Sequence, residues 1–353
     1  MKIGLIIYGS LETVSGGYLY DRKLVEYLRS QGDTVEVISL PWRNYAAHLT
    51  DNFRFKLPQS LDILIQDELN HPSLIFANLG KHPYPIISLV HHLRGSELRP
   101  NWQNILYSMV EKKYLGSVDG FIFNSETTSR VVHGIINQRK PSIVGYPPTD
   151  QFGEPISEGE IIQRAKSPEL NILFLGNVIE RKGLHVLLEA VKHLDSNVKV
   201  DIVGSLNVAP TYAKQIQEFI SNNALSSFVL FHGSLDQERL TETFRQAHIL
   251  VVPSSYEGYG IVYLEGMGFG LPAIGTTAGA ANEIITDGVD GFLIEAENVD
   301  MLASRLKDLS EKPDVLIRMS LAARQRYLCQ PTWLETAKEI REFLLKQIRD
   351  FSV

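Results

Sequence analysis

Two glutamates, Glu257 and Glu265, are separated by seven residues in the second half of the chain. The apolar run Ile249–Val252 predicts a buried strand before them, and a helix is expected to begin near Ile261. In parallel sheets, ligands bind beyond the carboxyl ends of the strands, where helix N-termini present free N–H groups to anions. Carboxylates beside such a site repel phosphate but accept hydrogen bonds from hydroxyl groups. The combination fits a ligand with phosphate in its middle and polyols at both ends, which is the chemistry of a nucleotide sugar.

The segment around this pair contains several further motif pieces. In chain order they are Glu257-Gly258-Tyr259-Gly260, Leu264-Glu265-Gly266-Met267, Gly270-Leu271-Pro272, Glu283-Ile284-Ile285 and Asp287-Gly288. In type and order they resemble the E-x7-E region of the family-four retaining glycosyltransferases. The resemblance is strongest over 171–294 and extends over nearly the whole chain. It implies an α/β protein with the GT-B fold, in which two Rossmann-like doubly wound parallel-sheet domains face each other across a cleft.

The resemblance also implies roles for the residues of this segment. Glu257 is expected to contact hydroxyl groups of the transferred sugar, and Glu265 is expected to hold the ribose of the nucleotide. The donor-binding residues between them are Gly258, Tyr259, Gly260 and Ile261, the last of which begins the helix whose N-terminus holds the diphosphate. The alternative for the two glutamates is a solvated helix face, where most glutamates lie.

Cations are expected in the segment after the predicted strand that begins at Asn171. A leaving diphosphate needs positive charge nearby, because negative charge develops on it as the sugar–oxygen bond breaks. Lys182 matches the family's diphosphate-binding lysine. The family's arginine would fall at position 176 or 177, where this chain has Gly176 and Asn177. Arg181 is the candidate replacement, and a solvated arginine at a helix start is the alternative.

The pair Gly16-Gly17 follows the first predicted strand, and Ser15 is expected to cap the helix that begins there. Adjacent glycines let the backbone approach a ligand closely, and the helix N-terminus favours negative charge. By resemblance, Gly16 and Gly17 face the donor phosphates across the cleft. A plain turn is the alternative for the pair.

A second polar pair, His91-His92, follows the predicted strand 85–90. Working residues of α/β enzymes are placed at such strand ends, and the resemblance implies a catalytic histidine near the reacting carbon of the sugar. Strand-end spacing favours His91, with His92 as the alternative. Adjacent histidines on a strand point apart, and no Asp-x-Asp triplet accompanies them. We therefore expect no metal and no cofactor other than the donor substrate.

Two weaker signals complete the candidate site. Gly233 ends a predicted strand, and the resemblance places its loop beside the nucleobase. Aromatic and basic residues alternate over 41–45 and 53–56, in a predicted loop of the first domain. Such a mixture can bind an acceptor sugar or a lipid headgroup region. The alternative is a loop that packs over its own domain.

Length and pattern indicate two α/β domains. Apolar runs predict strands at 2–8, 34–40, 61–65, 85–90 and 119–123, and again from 171 and at 199–203, 228–231, 249–252 and 273–276. Amphipathic patterns predict helices at 17–30, 102–115, 126–137 and 331–350. A proline-rich stretch, 140–169, predicts a linker. The expected domains are an acceptor domain, 1–150, completed by the helix 331–353, and a donor domain, 151–330.

Charge and cysteine content indicate which classes of partner the protein can bind and in which compartment it is expected. The 353 residues have a net charge of −7, which disfavours nucleic acid as a partner. Residues 1–150 carry 15 Lys and Arg against 14 Asp and Glu, so this half tolerates an anionic partner better. The single cysteine, Cys329, cannot form an internal disulfide, which favours the cytoplasm. No apolar run reaches the roughly 18 residues that cross a bilayer. Peripheral contact with the inner face of the membrane, through the N-terminal domain, is left open.

The leading hypothesis is a retaining, metal-independent glycosyltransferase of the hexosyltransferase type. It would move a sugar from a nucleotide diphosphate donor to an acceptor glycan, lipid or small molecule. Glu257, Lys182, Arg181 and His91 are the expected catalytic residues. One alternative is a catalytically silent sugar-nucleotide binding subunit, which the missing arginine near 177 favours. Another is a nucleotide-sugar epimerase on the same fold.

Overall fold

A computed structural model describes residues 1–13, 15–96, 101–148, 150–194 and 197–351. The chain forms two compact units, one comprising Met1–Pro148 with Pro331–Val353 and the other Thr149–Gln330. Within the described residues, no helix has both the length and the apolar character needed to cross a membrane.

The first unit is a six-stranded parallel sheet with helices between its strands. Its elements are β1 (Lys2–Tyr8), α1 (Gly16–Ser30), β2 (Thr34–Leu40), α2 (Tyr45–Asp51), β3 (Ile63–Asp67), α3 (His71–Asn78), β4 (Ile86–Val90), α4 (Asn101–Ser117), β5 (Gly120–Phe123), α5 (Glu126–Ile136) and β6 (Ser142–Val144). The strand order is β2-β1-β3-β4-β5-β6. The winding direction therefore reverses between β1 and β3.

Both faces of this sheet are apolar, as a parallel sheet covered by helices requires. On one face, Leu5 of β1 lies in a core with Leu24 of α1. On the other face, Ile6 lies in a core with Leu74 of α3 and Tyr114 of α4. Helix α1 therefore covers one side of the sheet, and α3 and α4 cover the opposite side.

The second unit repeats this plan with a second six-stranded parallel sheet. Its elements are α6 (Glu158–Arg164), β7 (Leu170–Leu175), α7 (Leu184–Lys192), β8 (Val198–Val203), α8 (Pro210–Asn222), β9 (Val229–Gly233), α9 (Gln237–Gln246), β10 (Ile249–Val251), α10 (Ile261–Gly268), β11 (Ala273–Thr276), β12 (Gly291–Ile294), α11 (Val299–Glu311) and α12 (Pro313–Leu328). The strand order is β12-β11-β10-β7-β8-β9. The winding direction reverses between β7 and β10. Two Rossmann-like doubly wound sheets are thus confirmed.

The last helix, α13 (Trp333–Phe351), belongs to the first unit. Its side chains Ala337, Ile340 and Leu344 are buried in the same core as α1. The Thr336 hydroxyl donates to the carbonyl of Tyr146 at 3.1 Å. The chain therefore returns to the first unit after completing the second, as the resemblance implied.

Two segments predicted to be irregular contain regular structure. The expected linker 140–169 includes β6 and α6, and α6 begins with a capping box formed by Ser157 and Glu160. The expected loop around 41–56 includes α2, where the Asn44 side chain accepts from the backbone N–H of Ala47 at 2.9 Å. Each helix has a capping residue that is visible in the sequence, Ser157 for α6 and Asn44 for α2. The prolines of 140–169 and the mixed side chains of 41–56 had suggested irregular structure instead.

Candidate functional site

The predicted residues of the second unit lie where its winding reverses. Arg181 and Lys182 follow β7, and Glu257 follows β10, the strand that pairs with β7. Loops at such a switch point diverge to opposite sides of the sheet and leave a crevice at its carboxyl edge. The topology therefore brings together two segments that are 75 residues apart in the chain.

Glu257 is buried and receives two short hydrogen bonds. Lys182 Nζ donates to its Oε1 at 2.6 Å, and the Ser254 hydroxyl donates to the same oxygen at 2.6 Å. The side chain is 9% exposed. Its backbone carbonyl accepts from the N–H of Ala280 at 2.9 Å, which fixes the turn that carries it. Glu257 is therefore a positioned acceptor rather than a residue of a solvated helix face.

The charge state of Glu257 follows from these contacts. Burial raises the pKa of the carboxyl, but the nearby cations Lys182 and Arg181 more than offset that effect, and the pKa lies below its usual value. Hydrogen bonds from Lys182 and Ser254 act in the same direction. Glu257 is accordingly ionised at neutral pH.

Arg181 also lies at this site. Its guanidinium donates to the carbonyl of Tyr256 at 2.7 Å and lies 3.8 Å from the Glu257 carboxylate. The side chain is 29% exposed, so Arg181 is less buried than its Glu257 partner. The structure therefore places both predicted cations beside Glu257.

The turn that carries these cations depends on Gly183. This residue has φ +71, and a Cβ there would lie 2.1 Å from the carbonyl oxygen of Pro253. We call residues 181–183 the cation turn. Its backbone at Gly183 is in contact with the segment that follows β10. Only glycine permits both the backbone conformation and this close approach.

The structure leaves little room for a long side chain at position 176, one of the two places where the family's arginine would fall. Gly176 has φ +149, a conformation that side chains rarely adopt. The aliphatic stem of Lys182 crosses above it, because a Cβ on Gly176 would lie 3.4 Å from Lys182 Cε. A long side chain at this position would displace the lysine.

The glycine-rich turn after Glu257 ends at the N-terminus of α10, as predicted. Gly260 caps α10 with φ +91, and a Cβ there would lie 2.6 Å from the Tyr263 ring. Ile261 is the first residue of the helix. Tyr259 is buried, and Glu265 lies on α10 with 7% of its surface exposed. The predicted donor-binding residues Gly258, Tyr259, Gly260, Ile261 and Glu265 thus lie along one turn and its helix.

Gly233 lies at the carboxyl end of β9, next to the ends of two other strands. Its carbonyl accepts from the N–H of Gly204 at 2.8 Å. A Cβ on Gly204 would lie 2.0 Å from the carbonyl oxygen of Gly176. The neighbouring strands β7, β8 and β9 therefore end in three glycines whose backbones are in close contact.

In the first unit, His91 lies beside the predicted glycine pair. A Cβ on Gly17 would lie 3.3 Å from the His91 ring, and Gly16 is the first residue of α1. Ser15 caps α1 as expected, accepting from the N–H of Tyr18. His91 Nε2 bonds Asp21 Oδ1 at 2.9 Å. The β4 end and the α1 start therefore form one small site.

Burial lowers the pKa of His91, but the carboxylate of Asp21, with further contributions from Asp67 and Glu68, raises it above its usual value. Asp21 is fully buried on α1. Asp21 Oδ1 is close enough to His91 Nε2 to offset the charge of the ring when that ring is protonated. The side chain of His92 is partly exposed on the same loop.

Two carboxyl groups at the end of β3 were not predicted from the sequence. Asp67 and Glu68 are both buried, and burial is the main cause that raises the pKa of each to about 8. Asp21 raises the pKa of Asp67 further, whereas His91 lowers both. The predicted strand 61–65 ended before them, although a polar pair directly after a buried apolar run was a usable signal.

Glu68 also belongs to a cluster of three buried side chains, with His71 and Glu111, whose ligand atoms lie within 4.8 Å of one another. His71 Nδ1 donates to the Glu68 carbonyl at 3.0 Å, and its Nε2 accepts from the Tyr45 hydroxyl at 2.9 Å. Both ring nitrogens therefore have protein partners. Burial lowers the pKa of His71 to about 4, which keeps the ring neutral. That no metal is bound stays a prediction.

The segment that carries this site is similar to a known protein family. Residues 159–326 match the family model described as glycosyl transferases group 1. This segment therefore belongs to the group 1 glycosyltransferase family. The match covers the Lys182 turn, the Glu257 turn and α10. The family expected from the motif pieces is therefore confirmed.

Curated relatives match this chain over part of their length. An uncharacterized glycosyltransferase of Methanocaldococcus jannaschii is 35% identical over 137 residues, which cover 39% of this chain and 37% of that protein. A D-inositol 3-phosphate glycosyltransferase of Streptomyces avermitilis is 27% identical over 232 residues, covering 62% of this chain and 50% of that protein. The chain thus spans between about a third and a half of the length of these relatives.

Solved structures match over the whole chain at low identity. A sucrose-phosphate synthase from Thermosynechococcus elongatus has a TM-score of 0.83 at 18% identity and covers 99% of each chain. The Anabaena protein HepE, solved in complex with UDP-glucose, has a TM-score of 0.76 at 18% identity, covering 98% of this chain and 100% of that one. These likenesses confirm the GT-B fold.

Proposed function

We propose that this chain transfers a hexosyl group from a nucleoside diphosphate sugar to an acceptor, with retention of anomeric configuration and without a metal ion. The observation that carries the proposal is the ion cluster of Lys182, Arg181 and Glu257 beside the N-terminus of α10. Such a cluster offers cations for a diphosphate and an ionised acceptor for sugar hydroxyls. The UDP-glucose bound to the Anabaena neighbour supports a nucleotide sugar as the donor.

The cluster gives each side chain a defined task in the proposed reaction. Lys182 and Arg181 would stabilise the negative charge that develops on the leaving diphosphate, together with the free N–H groups at the start of α10. Glu257 would then orient the sugar through its hydroxyl groups. The 2.6 Å bond from Lys182 to Glu257 fixes the two groups relative to each other, so little reorganisation would be required when the donor binds.

Roles in the first unit are proposed for His91 and its neighbours. Because Asp21 would offset the charge of a protonated His91 ring, the pair would add no net positive charge beside an electron-poor sugar carbon. Gly16 is proposed to let a phosphate approach the backbone at the start of α1, whereas the missing side chain of Gly17 makes room for the His91 ring. Glu265 is proposed to bind the ribose, and Gly233 to lie beside the base.

A catalytically silent sugar-nucleotide binding subunit is the second candidate. One observation favours it, the absence of an arginine at positions 176 and 177. The position of Arg181 beside Glu257 weighs against it, since a second cation is present at the cluster.

The test is incubation of the protein with UDP, GDP and ADP sugars in the absence of acceptor, with and without excess EDTA. We expect slow release of nucleoside diphosphate and of a sugar whose anomeric configuration, followed by NMR, is that of the donor. EDTA should leave the rate unchanged, because protein cations replace a metal on the diphosphate. Isomerised sugar would indicate an epimerase, and binding without release would indicate a silent subunit. Activity lost in EDTA and restored by manganese would contradict the metal-independent mechanism.

A further inference from the structure

An apolar groove lies in the first unit between α2, α3 and α4. Its volume is 620 Å³, and it is lined mainly by apolar and aromatic side chains, among them Phe53, Phe76, Trp102, Leu106, Tyr107 and Met109. The volume is within the range of roughly 300–1,000 Å³ that small-molecule sites have. None of the residues that line it belongs to the candidate donor site.

The side chains around the groove extend into solvent. Phe53 is 79% exposed, Trp102 is 62% exposed and Met109 is 59% exposed. Single exposed apolar side chains are normal on protein surfaces, but a contiguous set usually marks a binding surface. We call this set, with the groove, the α2–α4 face.

Positive charges surround the α2–α4 face. Lys113 lines the groove, and Lys112 precedes it on α4. Arg54 follows Phe53 directly, and Lys56 lies two residues further on. All four side chains belong to exposed residues, and none has an ion-pair partner among the residues that the structure describes.

The acidic residues of these elements do not cancel that charge. Glu111 is buried and accepts from the backbone N–H of Gly95, and Asp51 pairs with Arg43. The rim of the groove is therefore positively charged. Exposed aromatic and aliphatic side chains bordered by lysine and arginine are the composition of surfaces that lie in the interface of an anionic membrane.

We propose that the α2–α4 face binds the surface of an anionic lipid bilayer, with Phe53 and Trp102 inserted among the acyl chains. Lys112, Lys113 and Arg54 would contact the anionic head groups. A second copy of the chain fits this face less well, because a symmetric dimer would bring the same cations of both subunits together. The proposal goes beyond sugar transfer and does not depend on it.

The test is flotation of the purified protein with phosphatidylcholine vesicles and with vesicles that also contain phosphatidylglycerol. We expect binding to the anionic vesicles, weak binding to the neutral ones, and a decrease as salt screens the lysines. The double variant Phe53→Ser/Trp102→Ser should reduce vesicle binding about ten-fold or more, since each aromatic side chain contributes through its buried apolar area. Lys112→Glu/Lys113→Glu should abolish the preference for anionic vesicles.

Matched control variants lie on the opposite side of the first sheet. Leu334 is 63% exposed on α13, and Lys338 and Lys346 are exposed on the same helix. Leu334→Ser and Lys338→Glu/Lys346→Glu should float as the parent does. An unchanged circular dichroism spectrum and an unchanged rate of donor hydrolysis would show that the α2–α4 variants remain folded.

Three results would overturn the proposal. The first is a parent protein that binds neither type of vesicle. The second is equal flotation of the parent and both α2–α4 variants. The third is a dimer in solution that Phe53→Ser/Trp102→Ser dissociates, which would assign the face to a second copy of the chain. Donor hydrolysis is measured without vesicles, so failure here leaves the proposed transferase activity untouched.

Discussion

At the scale of single residues, the two glutamates of the E-x7-E pair differ in what they contact. The Glu257 carboxylate bonds two side chains of its own unit, Lys182 and Ser254. Glu265 lies one helical turn into α10. If Glu257 binds only the sugar and Glu265 binds the ribose, their removal will change different steps.

We predict that Glu265→Ala weakens the binding of free nucleoside diphosphate by about ten-fold or more, because a lost charged hydrogen bond costs about 1.5–3 kcal/mol. Glu257→Ala should bind it at least as tightly as the parent, since Lys182 then loses its carboxylate partner and is available to phosphate. Turnover of the donor sugar should fall in Glu257→Ala. Calorimetry with the nucleoside diphosphate, alongside donor hydrolysis, separates the two effects. Unimpaired binding by Glu265→Ala would disprove the ribose assignment.

A second residue-scale prediction concerns the cations. Arg181→Ala and Lys182→Ala should each slow donor turnover about 100-fold, because both would stabilise charge that develops in the transition state. Arg181 also donates to the Tyr256 carbonyl, so Arg181→Gln, which keeps a donor but loses the charge, is the informative variant.

Single-turnover rates measure the chemical step directly. Arg181→Gln with a rate within about three-fold of the parent, or about 0.6 kcal/mol of barrier, would limit Arg181 to holding the Tyr256 turn. Lys182 would then be the one cation of the cluster with a part in the reaction.

At the scale of elements, the inner strands of both sheets were predictable because they are buried on both faces and read as continuous apolar runs. Strand β1 at Lys2–Tyr8 and β11 at Ala273–Thr276 have the predicted bounds. The shorter elements α2, α3, α6, β6 and β12 were missed, because a few residues give too little periodicity to stand out. An error in one strand affected the site. Because the predicted strand ended at residue 65, Asp67 and Glu68 were not recognised as residues at the end of β3.

The contacts of Lys182 and Arg181 with Glu257 could not be predicted from the sequence. The motif placed Lys182 by its spacing, but the contact across β7 and β10 depends on strand order, which no local pattern encodes. Gly183 is a further example. Its role depends on the carbonyl of Pro253, 70 residues away in the chain.

We predict that Gly183→Ala reduces donor turnover as strongly as Lys182→Ala, because the added methyl group must displace the cation turn from Pro253. The left-handed conformation alone costs about 1–2 kcal/mol of stability for a residue with a Cβ. Gly32→Ala is the matched control, since Gly32 has φ +79 and no atom within 4 Å of its added Cβ. Gly32→Ala should show only the cost of the left-handed conformation, Gly183→Ala should be destabilised further by the contact with Pro253, and Gly183→Ala alone should lose turnover. Equal turnover in the two would show that the position of the cation turn is unimportant.

At the scale of the whole molecule, the chain crosses from the first unit to the second near residue 149 and returns near 331. Because of this return, the first unit is completed only by the last helix. Ile340 of α13 is 1% exposed, and its side chain lies against Gly145, where an added Cβ would be 2.7 Å from Ile340 Cδ1. Stability of the first unit should therefore depend on a residue that follows the entire second unit in sequence.

We predict that Ile340→Ala destabilises the first unit by about 2–5 kcal/mol, the usual cost of emptying a buried isoleucine site. Hydrogen exchange followed by mass spectrometry should show faster exchange in 1–148 and 331–353, with little change in 149–330. Leu302→Ala in α11 is the matched control, because Leu302 is fully buried in the second unit and its loss should produce the reverse pattern. If Ile340→Ala accelerated exchange equally in both units, the two would unfold as a single cooperative body, and the division at residues 149 and 331 would describe contacts rather than stability.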